Sequence, residues 1–285
     1  MNKNLKFLYT NADQFVNKRD DLVMAITDDE PDIILITGVI PKKQTNPIPR
    51  ALLDIDGYKN FPNFNPDDTN LGASGKRGVI IYFKESLNVS EVNIGIEGFT
   101  DHAWIEIPSD NGTSLLCGCI YRSPSDADTS SLLESTQKVN ELIRTAYERN
   151  SNVIIAGDFN FKEINWDNEF VKPGKNHLNQ FIENLQDCFL HQHVTEPTRY
   201  RENEQPNLLD LVLSSEEGMV QELSYHPPLG NSDHVCLRFQ VTHKEQKPNA
   251  FIPVPNVYKT NFEAVRDELN QYNWTEELNH TFEKD

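Results

Sequence analysis

The chain is short of basic residues, of cysteine and of long apolar runs, and each shortage excludes something. Lys and Arg number 26 against 44 Asp and Glu, for a formal net charge of −18 at pH 7. A general nucleic-acid clamp carries the opposite balance, because it neutralises phosphates along a whole face. A carboxylate-built cation site, or local basic loops that grip a phosphate, stays compatible with this charge. There is no apolar run of about 18 residues, the length a membrane-spanning helix requires. The start, Met1-Asn2-Lys3-Asn4-Leu5, has no apolar segment of the signal-peptide kind. The four cysteines, Cys117, Cys119, Cys188 and Cys236, match no zinc spacing. Cys117 and Cys119 fall on one face of an expected strand and read as small core residues, so a reducing, intracellular setting is expected. Neither an internal repeat nor a low-complexity tract is present.

What is present is a regular alternation of short apolar segments and helical periodicity. Strands are expected at 5–9, 32–37, 78–83, 102–107, 114–121, 152–157, 208–213 and 235–241. Helices are expected over 20–29, ending before Pro31, over 130–149, and near 177–187. Residues 41–76, rich in Pro, Asn, Asp and Gly, read as long loops. Strand pairs without a helix between them, together with strand–helix–strand units, predict an α/β fold of two packed sheets flanked by helices. After His243 the character changes. Residues 1–243 are expected to form the main domain, 244–257 a proline-containing linker, and 258–285 a helical segment. In that segment Phe262, Val265, Leu269 and Tyr272 are spaced for one face.

Three stretches carry chemistry. In Ile154-Ile155-Ala156-Gly157-Asp158-Phe159-Asn160 a buried strand ends in two polar groups. If the extended conformation continues, Asp158 and Asn160 point the same way, at a strand end where α/β proteins often place sites. Gly, Asp and Asn also dominate turns, so this stretch alone is equally a turn. Asn207-Leu208-Leu209-Asp210-Leu211-Val212 puts a carboxylate inside an apolar strand, where it needs a partner. Ser232-Asp233-His234 precedes the last strand, and His234 is the obvious candidate.

Taken in order, Tyr9-Thr10-Asn11-Ala12-Asp13, Tyr121-Arg122-Ser123-Pro124, Gly157-Asp158-Phe159-Asn160, Asp210 and Ser232-Asp233-His234 resemble the endonuclease/exonuclease/phosphatase superfamily. That superfamily includes the apurinic endonucleases and deoxyribonuclease I. Glu196-Pro197-Thr198-Arg199 and Leu208-Leu209-Asp210-Leu211-Val212 are most similar to the endonuclease domain of non-LTR (LINE-type) retrotransposon polyproteins. The likeness covers roughly residues 5–242.

The resemblance implies a four-layer sandwich of two mixed sheets flanked by helices. It implies a metal-dependent DNA endonuclease that nicks target DNA for retrotransposition, using Mg²⁺ or, second, Mn²⁺. Asp158 would orient or deprotonate the water, and Asn160 would hold the phosphate or that water. His234, polarised by Asp210, and Tyr121 would contact the phosphate, and Asn11 would position the carboxylates. Asp13 and Asp233 would stand near the metal. Thr198, Arg199, Arg122 and Ser232 would contact DNA. The implied partners are DNA and a reverse transcriptase of the same polyprotein, with a monomeric domain and the nucleus as the place of action, although no targeting signal is seen. Plainer roles compete: a turn cap for Asn11, a core aromatic for Tyr121, a loop charge for Asp13 and a surface turn for Thr198.

One departure bears on all of this. The strand 32–37 is followed by Gly38, where the resemblance calls for a metal-binding Glu. The expectation is a sound fold with impaired hydrolysis, restored by Gly38→Glu. The alternatives are a catalytically silent binding domain and a phosphatase for small phosphoesters.

Overall fold

The computed structural model describes residues 3–27, 29–69, 71, 75–108, 112–124, 129–166, 170–171, 175–243 and 261–271. The chain runs β1 (Lys3–Asn11), α1 (Arg19–Ile26), β2 (Ile33–Thr37), β3 (Tyr58–Pro62), β4 (Val79–Lys84), β5 (Ser90–Glu91), β6 (His102–Pro108) and β7 (Ser114–Tyr121). It continues with α2 (Thr129–Arg149), β8 (Val153–Asp158), β9 (Ile164–Asn165), β10 (Phe170–Val171), α3 (Asn176–Asp187), β11 (His191–Gln192), β12 (Asp210–Ser214), β13 (Val220–His226), β14 (Cys236–His243) and α4 (Phe262–Gln271). By contacts it divides into Met1–Gln246 and Lys247–Asp285.

Strand parity sets the layers. Successive side chains of a strand point to opposite faces, so a strand apolar at every position must be covered on both sides. In β2, Ile33 and Leu35 face one way, Ile34 and Ile36 the other. In β8, Ile154 and Ala156 oppose Val153 and Ile155. The inward set, with Phe7, Ile81, Cys117, Cys119 and Val212, fills the space between two sheets. The outer face of one sheet packs Leu8, Ile34 and Ile80 against Leu22 and Ile26 of α1. The outer face of the other packs Leu116, Ile120 and Leu211 against Val139, Leu142 and Ile143 of α2 and Phe181 of α3. The result is helix, sheet, sheet, helix: the four-layer sandwich.

Each sheet is mixed. The first runs β13-β14-β1-β2-β4-β3 and the second β11-β12-β8-β7-β6-β5. β1 pairs β2 in parallel and β14 antiparallel, while β8 pairs β7 in parallel and β12 antiparallel. The two central strands of chemical interest therefore end at the same rim.

Both edge strands of the first sheet escaped the sequence reading, as did the two-residue β5, β9, β10 and β11. β3 lies inside the stretch expected to be loop, because Tyr58-Lys59-Asn60-Phe61-Pro62 is mixed in polarity and holds a proline that only an edge tolerates. β13 is half-exposed and shifts register between Gln221 and Ser224, which blurs its alternation. α1 ends at Ile26, before the expected Asp29. The expected linker 244–257 and Tyr272 lie outside the described residues. Among the described residues no helix is long and apolar enough to cross a membrane.

Candidate active site

Sheet register, more than local sequence, assembles the polar groups. β8 ends at Asp158, whose backbone pairs with Tyr121 of β7 on one side and Asp210 of β12 on the other. In the first sheet Asn11 ends β1 beside Thr37, and His234 lies two residues before β14. Gly157 is required by the neighbouring strand rather than by a ligand. A Cβ there would sit 2.1 Å from the carbonyl oxygen of Ile120. The extended conformation does not continue to Asn160, which has φ 53°. Its N–H donates to Asp158 Oδ1 (3.1 Å) and its Nδ2 to the Arg122 carbonyl (2.8 Å), so Asp158 closes a turn on itself.

A buried hydrogen-bonded network forms the floor. His234 Nδ1 donates to Asp210 Oδ2 at 2.7 Å, and the Tyr9 hydroxyl donates to Asp210 Oδ1 at 2.6 Å. With its proton spent there, Tyr9 accepts from Thr37 Oγ1 at 3.2 Å. Asn11 Nδ2 donates to Asp158 Oδ2 at 2.8 Å. His234 Nε2 stands 3.9 Å from Asp158 Oδ2 and 3.9 Å from Asp233 Oδ1. Burial pulls the His234 pKa down, but Asp210, then Asp158 and Asp233, outweigh it and raise the pKa to about 9. Burial, then the Asp210 charge, raises the Asp158 carboxyl well above the ordinary range, against His234 and Asn11. The site thus holds an imidazolium between a carboxylate and a carboxyl group poised to exchange a proton.

Beyond the floor the charges are paired with arginine and lysine. Asp13 Oδ1 accepts from Arg77 at 2.5 Å. Lys18 Nζ lies behind the same loop, donating to the carbonyls of Ala12 (2.6 Å) and Asp13 (2.7 Å). Asp233 Oδ2 accepts from Arg199 Nε (2.9 Å) and from Arg201 (3.0 Å). Burial alone would raise the Asp233 carboxyl, but His234 and both arginines hold it below the usual range. Asp13, Arg77, Arg199, Arg201 and Asp233, with Asn11, Asp158 and His234 of the floor, line one open cleft of about 1040 Å³. Eight Lys and Arg side chains border it against five acidic ones, so the cleft reverses the sign of the whole chain.

Two expected DNA contacts are buried. Thr198 is fully buried and its Oγ1 accepts from the N–H groups of Leu209 and Asp210, both at 3.1 Å. Ser232 is buried too; its Oγ donates to the Asn11 carbonyl (2.7 Å) and accepts from the His234 N–H (3.3 Å). Both hydroxyls are engaged by the backbone of the floor. Arg122 borders the cleft but is turned inward, donating to the Phe159 carbonyl (3.2 Å) with its guanidinium over the Phe161 ring at 4.4 Å. Arg199 and Tyr121 line the cleft. Three residues were missed, Tyr9, Lys18 and Asp101, while Arg77 was one of several loop cations that the sequence offered without setting it apart. Tyr9 was within reach, since it is two residues before Asn11 on the same strand face. The Asp101 carboxylate accepts from the backbone N–H groups of Arg77 and Gly78, both at 3.3 Å. Among the described residues, Asp158, Asp210 and His234 are the three donors whose atoms all lie within 4.8 Å, a spacing that could hold a metal ion.

Comparison with known proteins agrees with this fold. Residues 115–238 match the family described as endonuclease-reverse transcriptase. Among curated proteins none matches. An AP endonuclease, LMAP, from Leishmania major superposes with TM-score 0.66 at 14% identity, over 85% of this chain and 89% of that one. The endonuclease domain of TRAS1, a telomere-specific non-LTR retrotransposon, gives 0.58 at 16% identity, over 84% and 98%. A 3′-5′ exonuclease, NExo, from Neisseria meningitidis gives 0.60 at 16% identity, over 83% and 99%. These identities speak for the fold. With the family match, they bear out the resemblance to the endonuclease/exonuclease/phosphatase superfamily read from the ordered motifs.

Proposed function

We propose that the cleft binds a DNA phosphodiester and that this chain hydrolyses it slowly. The carrying observation is the Asp210–His234–Asp158–Asn11 network, set at the floor of a cleft that is basic in an acidic protein. His234, held cationic by Asp210, would face a non-bridging phosphate oxygen. Asp158, oriented by Asn11, would take the proton of an attacking water as the P–O bond to the leaving oxygen breaks, and that oxygen would take its proton from solvent water. Tyr121 would donate to the phosphate, and Arg199 would reach the backbone on the Asp233 side. Asn160 holds Asp158 through its N–H, so its share is positioning. The open cleft is larger than a small phosphomonoester requires, which favours DNA over the phosphatase reading.

The ion implied by the resemblance does not fit this donor set. Mg²⁺ or Mn²⁺ requires oxygen ligands with free lone pairs and room for water. Gly38 offers none, and Asp13 and Asp233 each have one of their two oxygens and their charge engaged by a guanidinium. In the cluster of Asp158, Asp210 and His234 both Asp210 oxygens and the His234 Nδ1 are already hydrogen-bonded, and all three residues are buried. No step is therefore routed through an ion, and slow turnover follows. This same observation favours, as second reading, a domain that binds DNA without cutting it.

Nicking of supercoiled plasmid separates the two. The parent chain is expected to nick slowly, and Asp158→Asn and His234→Ala to lower that rate by about a hundredfold or more. If both variants nick as the parent does, the floor has no catalytic part.

A further inference from the structure

The corner left by the missing carboxylate has closed around other groups. Gly38 has φ 68°, and a Cβ there would lie 2.3 Å from Asn11 Oδ1 and 3.1 Å from the Asp13 nitrogen. Asn11 Oδ1 uses that space to accept from the Asp13 N–H at 3.0 Å. The Gly38 carbonyl in turn accepts from the N–H groups of Gln14 (2.7 Å) and Phe15 (3.2 Å). The loop over Asp13 is thus latched onto a residue without a side chain.

Two fixed cations converge on the same loop. Arg77 has a side chain only 10% exposed, borders the cleft that Tyr121 and Asp158 also line, and is pinned by Asp101 through its backbone. A guanidinium has five N–H donors. Here one nitrogen serves Asp13, while the buried Nε has no partner. Its charge acts on the Tyr121 phenol and on Lys18, so all three lie within electrostatic range. The Lys18 ammonium is 7% exposed behind Asp13. A dication approaching Asp13 would meet two positive charges already in place.

We infer that Arg77 replaces the ion: its guanidinium, with the His234 imidazolium, holds the DNA phosphate in this cleft without a divalent cation. A planar guanidinium suits this task because it meets two phosphate oxygens at once and keeps its charge at any working pH. Asp13 then serves as the hinge pin of the guanidinium rather than as a ligand. The inference rests on the reading that the cleft binds DNA, and deepens it by naming what grips the phosphate.

The test is fluorescence anisotropy with a fluorescein-labelled DNA duplex, in EDTA and in Mg²⁺, on the whole chain. The parent is expected to bind no more weakly in EDTA than in Mg²⁺, since the ion competes for phosphates rather than bridging to them. Arg77→Met should weaken binding about tenfold or more and lower the salt slope by about one, with Arg77→Lys recovering part. Asp13→Asn guards against a folding artefact, because it removes the partner's charge and leaves the arginine; binding in EDTA should persist. Binding that needs Mg²⁺, Arg77→Met that melts and binds like the parent, or loss of EDTA binding in folded Asp13→Asn would each overturn the inference while leaving the DNA reading intact. No binding under either condition would overturn both.

Discussion

The two sides of the cleft are built by different means. On one side, both oxygens of Asp210 are engaged by Tyr9 and His234, and Asp210 itself stands in register with Asp158. On the other, Asp13, Gln14 and Gly38 all take left-handed backbone conformations, with φ of 35°, 77° and 68°. Strand pairing holds the first side, and a latched loop holds the second. The first resists change because its groups are central strand residues. The second tolerates the loss of a carboxylate because neighbours can fold over the gap.

The contrast is broken most severely by Asp210→Ala. That change leaves a buried imidazolium without its counter-charge and the Tyr9 hydroxyl without its acceptor. It should cost about 3–5 kcal/mol in urea unfolding, whereas Asp13→Ala, which opens a pair 38% exposed on the carboxylate side, should cost far less. Equal losses would erase the distinction between the two sides.

The pH dependence should report on the floor alone. The folded pKa of His234, about 9, is raised above its ordinary value of 6.5. The stabilisation is therefore complete below pH 6.5 and is lost as pH rises toward 9, because the folded chain holds the proton longer. The raised Asp158 adds a slope of the same sign starting nearer pH 4. Stability should fall over the upper window by on the order of 3 kcal/mol. His234→Gln should flatten that window; a parent whose melting temperature stays constant from pH 6.5 to 9 would disprove the charged pair.

The smallest effect sharpens the loop side. Gly38→Glu places a side chain at a left-handed position and drives its Cβ into Asn11. A cost of about 1–3 kcal/mol is expected in thermal or urea melts. The substitution alone should not restore rapid nicking, because Arg77 still occupies Asp13. This revises the expectation drawn from sequence, where only the missing ligand was visible. A Gly38→Glu chain that melts with the parent and nicks fast in Mg²⁺ would show the corner to be open.

The same contrast explains what the sequence could disclose. Asp210 stood out because a charge amid Leu209, Leu211 and Val212 has no reason to be buried alone. Asp158 stood out because an apolar strand stopped at it. Arg77 was one loop cation among many: its partner Asp13 is 64 positions away, and nothing local set it apart from the others. Thr198 and Ser232 were misplaced for a related reason. Short hydroxyl residues next to charged ones look like ligand contacts, while their work is to accept N–H groups from Leu209, Asp210 and His234. Asn160 was misjudged through parity, which holds only while the backbone stays extended.

The pairing of Asp158 with Tyr121 on one side and Asp210 on the other has a consequence for length variation. Deleting one codon within β8 would turn Asp158 to the opposite face and slide it by about 3.4 Å. It would lose both neighbours at once while every amino acid of the site remained encoded. Inserting a codon between Pro41 and Ile48, which lies outside every strand, would alter neither register. In-frame indels that spare function should therefore gather in the connecting segments, and one inside β7, β8 or β12 should silence the site as completely as a stop codon.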